Sequence, residues 1–470
     1  MDALLSIDLG TTGCKAAVCS TDGQVLGASY LEYPLITPTR GIVEQDADLW
    51  WSLAQQAVRE AVARSALDGH AILALSVSSQ GISFVPVDRA GRILRLAINW
   101  LDTRATMEAA TIRQEIGDEE VFRLTGKRPA PTYVLPKLLW LRQHEPDLYR
   151  ATAKFLLAHD FLLHRLCGAT ATDYSLASGS LLLDLHSLTW SDRLLNAFDI
   201  NPEQLAQLAW AGTPAGELAT SVARQLGLRP RLPVIVGGQD QKCAALGAGI
   251  RTGRATVSLG TASAISCLVD RPALDGGRRV PTFPFVAPGY WVLEGVVGTA
   301  GAALKWVRDT LFPQQSYAQL DHLAAQSPRG ANGARFYPHL AGATSPLWQA
   351  EAKGALTGLS LATGMADIVR AVLEGIAFQV RANLEVVEAV APVREVVLFG
   401  GGAKSRLWTC IIGEVTGKPV RVAEIVDVTN WGACILAGVG VGLCRDRLAP
   451  ELGGRLAAMG EPSAAAVAEY

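Results

Sequence analysis

Asp8 stands at the end of a short apolar run, Leu4-Leu5-Ser6-Ile7-Asp8-Leu9, and is followed at once by Gly10-Thr11-Thr12-Gly13. Gly and Thr in so tight a turn aim backbone N–H groups and hydroxyls at one point, which makes a concavity for anions. A carboxylate beside it can order Mg²⁺ through water, because Mg²⁺ keeps most of its hydration shell. The same residues also suit a plain hairpin, in which Asp and Thr satisfy the turn's own backbone groups. A second tip of this make, Leu259-Gly260-Thr261-Ala262-Ser263, follows Thr256-Val257-Ser258. Two such tips can clamp a polyphosphate. A third element, Phe399-Gly400-Gly401-Gly402-Ala403-Lys404-Ser405-Arg406, has glycines after a buried run, where a flat ring can approach the backbone closely.

Asp240 is the other candidate. The run Val234–Val236 passes through Gly237-Gly238 to Gln239-Asp240-Gln241. A carboxylate delivered there can take the proton of a hydroxyl that attacks phosphorus. Asp is also a favoured helix cap, and a helix is expected to start with Lys242-Cys243-Ala244-Ala245-Leu246, so the residues alone leave both roles open. Other nucleotide and hydrolase devices are missing: there is no GxxxxGK[ST], no GxGxxG after a strand, no HExxH and no GxSxG.

The elements that must position these residues follow from periodicity. Leu4–Leu9, Lys15–Cys19 and Gln24–Ala28, with Asp22-Gly23 between the last two, predict three short strands joined by tight turns. Asp48–Ala66 has helical spacing, and Ile72–Val77 returns to strand character. Residues 136–168 read as largely helical, with Pro136 at a first helical position, a break at Pro146 and a second helix from about Phe155. The Leu-Gly-Thr turn recurs at an offset of 250 residues, and Glu395–Gly402 echoes Val234–Gly238 as a strand ending in glycines. Two echoes in one order predict two similar halves of alternating strands and helices, divided near Gly247–Gly253, as 1–248 and 249–470.

Composition narrows the function classes. The 470 residues are 49% hydrophobic and 18% charged, which is globular, and 42 basic less 44 acidic residues give a net charge of −2. No block of like charge points to nucleic acid or to an anionic membrane. The stretch Gly69–Val87 lacks Asp, Glu, Lys and Arg but carries four serines, a Gln, two glycines and a Pro, which argues against a membrane helix. Asp2 and the strand-like run after it leave no room for a signal peptide, so a cytoplasmic location is expected. Eight cysteines without CxxC or zinc spacing read as small apolar residues in a reducing compartment.

The two Gly-Thr tips and the triple glycine together resemble the fold shared by actin, the seventy-kilodalton heat-shock chaperones and sugar kinases. Over nearly all of residues 4–445 the chain is similar to the FGGY carbohydrate kinases, most of all to their xylulose-kinase-like members. The likeness is carried by Ile7–Thr12, by Glu44-Gln45-Asp46 before Trp50-Trp51, and by Trp100-Leu101-Asp102-Thr103-Arg104. It continues through Pro136–Trp140, Ala171–Ser175, Gly237–Gln241, Ser258–Thr261 and Gly400–Ser405. The resemblance implies an α/β fold of two actin-like ATPase (ribonuclease H-like) domains facing a central cleft. The first would hold the sugar and the second most of the nucleotide. The implied reaction moves the γ-phosphoryl group of ATP, with Mg²⁺, to a hydroxyl of a ketose or polyol, D-xylulose first.

By the same resemblance Asp240 is the catalytic base, and Asp8 with Asp240 stands by the Mg²⁺. Gly10, Thr11, Thr12, Gly260 and Thr261 bind phosphates, while Gly401, Gly402 and Ser405 line the adenosine pocket. Gln80, Gly81, Ile82, Asp102, Asp240 and Gln241 fall at substrate positions. Several of these depart from the pattern. Xylulose kinases carry Gln-Met-His where this chain has Gln80-Gly81-Ile82, and the commonest version has Asn at Gln241. Asp102 with Arg104 fits a surface ion pair as well as a sugar contact, and Glu44-Gln45-Asp46 fits a solvated helix start capped by Asp46. Gly342-Ala343-Thr344-Ser345-Pro346 lacks the two charges that the family often has there, and the end at Tyr470 predicts a shortened last element. The bulky tryptophans Trp50, Trp51, Trp190 and Trp408 are expected in the core. Two rival classes share the fold: a chaperone-like ATPase without a small acceptor, and a catalytically weak sugar sensor. Neither residues nor resemblance sets the oligomeric state, so a homodimer stays open.

Overall fold

Ala3–Leu9 is a strand buried along its whole length, paired antiparallel with Gly13–Ser20, which pairs antiparallel with Val25–Glu32. Its seven residues read ALLSIDL, a continuous apolar run, because both of its faces are covered by protein. On its other edge it pairs parallel with Ile72–Ser79, which pairs parallel with Pro233–Gln239, and Pro214–Glu217 closes the sheet antiparallel. Helix Ala47–Ser65 covers one face. Asp46 caps it by accepting from Asp48 N at 2.9 Å and Leu49 N at 3.3 Å. From this helix Trp50 enters the core and meets Phe161 edge to face, centroids 6.4 Å apart.

This is a computed structural model, and it describes residues 2–425, 427–444, 447–448 and 456–470. The second sheet has seven strands: next to the edge strand Thr282–Pro284 the order runs Trp291–Val297, Ser263–Val269, Arg254–Ser258, Glu395–Phe399, Val420–Ala423, Leu456–Gly460. From Trp291–Val297 onward the first three strands are antiparallel, the next two run parallel to Arg254–Ser258, and the last returns antiparallel. From there on, strand order and directions thus repeat those of the first sheet. One echo of the sequence is corrected by this register. Glu395–Phe399 lies directly beside Arg254–Ser258, so its counterpart is Ile72–Ser79, beside Ala3–Leu9. Pro233–Gln239 is one strand further out and corresponds to Val420–Ala423. Terminal glycines drew the false match, since they report only a close approach of backbone.

The compact units are not the contiguous halves 1–248 and 249–470. The first comprises Met1–Gly247, Phe283–Tyr290 and Asp427–Gly454, and the second Ala248–Thr282, Trp291–Val426 and Arg455–Tyr470. Helix Val428–Gly440 therefore belongs to the first unit, where it packs on Ala3–Leu9, Ile72–Ser79 and Pro233–Gln239. Other expectations shift as well. Pro136 is the third residue of helix Val134–His144, and Pro146 begins helix Pro146–Ala151. Phe155-Leu156-Leu157 form the strand Lys154–Leu157, with the next helix only from Ala158. Glu44-Gln45 is a buried strand paired with Ala97–Ile98 rather than a solvated start. Trp50 and Trp408 are fully buried as expected, while Trp51 and Trp190 are only half-buried. All eight cysteines are free, and six are buried, but Cys410 is exposed. Among the described residues no helix is long and apolar enough to cross a membrane.

Helix Asp240–Gly247 crosses Val428–Gly440 at backbone distance. A Cβ on Gly432 would lie 1.9 Å from the Cys243 carbonyl oxygen, and one on Gly247 would lie 2.0 Å from that of Val428. The helices are close because each offers a glycine to the other's backbone. Ser6 Oγ also donates to Asn430 Oδ1 at 2.7 Å, tying the helix to the first strand. Gly432→Ala should destabilise the protein by about 1–3 kcal/mol, the usual cost of overpacking a close contact. Scanning calorimetry measures this, and an unchanged unfolding temperature would show that the crossing relaxes without cost.

Candidate functional site

Three parallel strands of the first unit end side by side. Asp8 and Leu9 are in register with Ser78 and Ser79, which are in turn in register with Gly238 and Gln239. The loops beyond them, Gly10–Thr12, Gln80–Ile82 and Asp240-Gln241, therefore start from neighbouring points, at the carboxyl ends of strands where α/β sheets hold ligands. Gly237 permits this geometry, since a Cβ there would stand 1.8 Å from the Val77 carbonyl oxygen.

The Gly10–Thr12 tip is held from behind. Gly10 N donates to Gly13 O at 3.0 Å, and Tyr33 OH donates to Gly10 O. Gln45 Nε2 donates to Thr11 O at 2.8 Å, and Trp100 Nε1 to Thr11 Oγ1 at 2.8 Å. Thr12 faces solvent. Asp8 is buried, and its Oδ1 has no hydrogen-bond partner. Burial first, then the charge of Asp427, pushes its carboxyl up to about 6, against the opposing pull of Lys15. A buried carboxylate with an unused oxygen suits a cation that brings its own waters. Among the described residues no group of three or more His, Cys, Asp or Glu is gathered to hold a metal. Mg²⁺, which needs only one or two carboxylates plus phosphate oxygens, fits the donors present.

Behind the Gln80 loop lies a buried polar cluster. Gln80 Nε2 donates to Gln45 Oε1 at 3.0 Å, and Asn99 Nδ2 donates to Gln45 Oε1 at 2.8 Å and Gln80 Oε1 at 3.1 Å. Lys137, fully buried, donates to Asn99 O at 2.8 Å, and burial drives its ammonium down to about 7. Gln80 is thus 1% exposed with its amide already engaged. Asp102 is likewise enclosed. Its oxygens accept from Val43 N at 2.6 Å and from Arg104 N at 3.0 Å and Nε at 2.9 Å. Arg104 also reaches Glu44 at 2.6 Å and stacks 4.9 Å over Trp140. The pair is no surface ion pair: the side chains are 0% and 4% exposed. In this geometry Asp102 sets Arg104 and the Val43 backbone instead of standing open to an acceptor.

Gly81 and Ile82 are the half-buried part of that loop, and Ile82 packs against the neighbouring core. A Cβ on Gly81 would come within 3.1 Å of Gln239 Nε2. Ile82 has φ 41°, a left-handed conformation that costs a β-branched residue about 1–3 kcal/mol. Gln239 N donates to Ser175 Oγ at 3.1 Å, but Gln239 Oε1 is buried without a partner. Asp240 is half-buried and is the first residue of helix Asp240–Gly247, two positions before the expected start. Its Oδ1 accepts from Gln241 N at 2.7 Å. Beyond it, Lys242 and Lys127 are both fully buried, with Nζ 3.7 and 4.0 Å from the Phe283 ring centroid. Asn99, Lys127 and Lys242 were not singled out by sequence. A Lys in the first turn after Asp240 was the one visible signal.

The second unit holds a cavity of about 830 Å³, within the usual range for a small-molecule site. Gly260, Thr261, Gly401, Gly402 and Ser405 all line it. The 260–261 tip is tight, with Gly260 N donating to Ala262 O at 3.2 Å. Helix Gly301–Leu311 begins against this tip, Gly301 N donating to Gly260 O at 2.9 Å, so its positive dipole end lies by the tip. Gly400 has φ 91°, and a Cβ on Gly402 would strike the Trp408 ring at 2.6 Å, while Gly401 has nothing within 4 Å. Ser405 caps helix Arg406–Thr416 by accepting from Trp408 N at 3.0 Å.

This arrangement has close relatives. Residues 3–247 match the model of the FGGY family of carbohydrate kinases, N-terminal domain, and residues 255–441 match that of the C-terminal domain. A xylulose kinase of Bacillus subtilis (strain 168) is 32% identical over 444 residues, 94% of this chain and 89% of the relative. A gluconokinase of the same organism is 29% identical, covering 92% of this chain and 86% of that protein. The crystal structure of ligand-bound xylulose kinase from Lactobacillus acidophilus superposes with a TM-score of 0.94 at 25% identity. It covers 100% of this chain and 96% of that one. Two domain models that together span most of the sequence, and full-length relatives above 30% identity, leave one assignment: the chain belongs to the FGGY family of carbohydrate kinases.

Proposed function

We propose that this ATP-dependent carbohydrate kinase phosphorylates a ketose or polyol, with D-xylulose the first candidate, and that Asp240 is its base. The observation that carries the proposal is the convergence of the Asp8, Gln80 and Asp240 loops at one end of three parallel strands. An acceptor hydroxyl near Asp240 gives its proton to the carboxylate while its oxygen attacks the γ-phosphorus, and the bond to the ADP oxygen breaks. In the first unit Gly10, Thr11 and Thr12, and in the second Gly260 and Thr261, are phosphate-binding tips that act through backbone N–H groups and hydroxyls. Asp8, with Asp240, would hold a hydrated Mg²⁺, which would supply charge neutralisation on the phosphates. Gly401, Gly402 and Ser405 take the adenosine. The first family domain is the sugar side and the second the nucleotide side. Six buried free thiols suit a reducing cytoplasm.

Gly81, Ile82 and Gln241 are the acceptor contacts in this proposal, with Gln80 and Asp102 bracing them from the buried cluster. The strained backbone at Ile82 supports it, because strain persists where a site is over-determined. Gluconokinases among the relatives show that the family's acceptors vary, so the identity of the sugar rests on these positions.

Three measurements test the proposal. Purified protein should phosphorylate at least one free sugar with Mg-ATP and hydrolyse little ATP without it, because acceptor-driven closure keeps water from the γ-phosphate. An ATPase rate without sugar equal to the best rate with sugar would favour the chaperone-like class. Asp240→Asn should lower kcat by roughly 10²–10⁴-fold while ATP binding, followed by calorimetry, persists. Near-normal kcat would return Asp240 to a helix-capping role. Gly81→Met/Ile82→His should raise kcat/KM for D-xylulose relative to D-ribulose and common polyols by roughly tenfold, since His can donate and accept hydrogen bonds and Ile can do neither. An unchanged or lower value for D-xylulose would remove these positions from acceptor choice.

A further inference from the structure

The cavity of the second unit is lined by a carboxylate that phosphate transfer leaves unused. Helix Tyr317–Ala325 starts from a capping box, Ser316 N donating to Gln319 Oε1 at 2.8 Å, which fixes its rotation. It presents Tyr317, Ala318 and Asp321 to the cavity, the i and i+4 positions of one face. Two carboxylates line this space. Asp309 is engaged by Lys305 and by Arg308, whose Nη2 lies 2.6 Å away. Asp321 forms no ion pair with any described cation and is half-buried, and burial raises its pKa while the Ser405 hydroxyl lowers it. Ser405 accepts from Trp408 N, so its own O–H is the group left to reach Asp321. Around them stand Ala318, Gly401, Gly402 and Trp408, which offer no competing carboxylate.

We infer that Asp321 reads the nucleotide base by accepting a hydrogen bond from the exocyclic amino group of adenine. The inference rests on ATP occupying this cavity, as proposed above. Adenine carries one N–H donor group on its edges, the 6-amino group, and its ring nitrogens are acceptors that a carboxylate repels. An unpaired carboxylate beside an anionic ligand is costly unless it meets such a donor. Asp321 and Ser405 line the same cavity, and a carboxylate bonded to one hydroxyl keeps further acceptor capacity for the base. A base without the amino group leaves that oxygen desolvated and unpaired, and so binds less well. Asp321 is a specificity residue here, with no part in the chemical step.

The test is a cycle of two ligands and two variants. ATP and purine riboside triphosphate, which lacks only the 6-amino group, are compared in binding by calorimetry and in kcat/KM. Wild type should prefer ATP by about tenfold or more, the range for a charge-assisted hydrogen bond. Asp321→Ala should weaken ATP by a similar factor, leave the analogue unchanged and bring the ratio near one. Asp321→Asn, which keeps an acceptor oxygen, should fall between. A merely structural role would weaken both nucleotides together and leave the ratio intact, and that result would overturn the inference. So would equal use of both by wild type, or a preference for GTP over ATP that Asp321→Ala abolishes. The binding ratio does not depend on the acceptor sugar, so the proposed acceptor can fail while this inference stands, and the reverse.

Discussion

Backbone packed directly on backbone is the constraint from which the first unit's site is built. Gly237 lies against the Val77 carbonyl, and Gly247 and Gly432 each lie against the other helix's backbone. At these points no side chain intervenes, so the strand and helix that flank Asp240 have no freedom to shift by the width of a methyl group. Catalysis by a general base depends on placement to within a few tenths of an ångström. For a base at Asp240, as proposed, the close crossing would supply that placement through van der Waals contact, which is cheap to maintain and needs no buried charge.

The polar layer behind the loops solves a different problem. Gln45, Gln80, Asn99, Lys137, Asp102 and Arg104 are all inside the protein, where an unpaired amide or charge costs several times what a hydrogen bond returns. They satisfy one another almost completely, which makes the cluster a rigid support rather than a reactive one. The contrast with Asp8 Oδ1 and Gln239 Oε1 is informative. These two buried oxygens lack partners and lie where the strands end, which leaves both free to meet a ligand there, although buried atoms without partners also occur elsewhere, as at Trp50 Nε1 and Glu108 Oε2.

The two sheets share one plan but were given different tips. In the first unit the fourth strand ends in Gln80-Gly81-Ile82, where Gln80 is tied into the buried cluster and Ile82 supplies the half-buried side chain beyond it. At the equivalent place in the second unit the chain reads Gly400-Gly401-Gly402, which exposes bare backbone and opens onto the 830 Å³ cavity. One architecture thus yields a side-chain surface in one unit and a flat slot in the other. The difference between the two units lies in a handful of loop residues, consistent with function residing in sites grafted on a fold.

Local chemistry was legible in the residues themselves. The alternation of strand and helix, the Gly-Thr tips and the cap at Asp46 each depend on neighbours within a few positions, and so could be read directly, whereas for Asp240 the residues alone left base and helix cap open. The family followed from the order of these motifs. What the tertiary structure alone decided involves partners distant in the chain. Helix Val428–Gly440 joins the first unit because its glycine fits a helix nearly two hundred residues earlier. Glu395–Phe399 matches Ile72–Ser79, and not Pro233–Gln239, because strand order is set by pairing and not by terminal glycines. Asp102 and Gln80 look like ligands in sequence but are consumed inside, and Asp321 has no motif yet faces a cavity. Sequence spacing carries periodicity and turn chemistry. Burial and hydrogen-bond satisfaction depend on which distant segments meet, and that is a property of the folded chain alone.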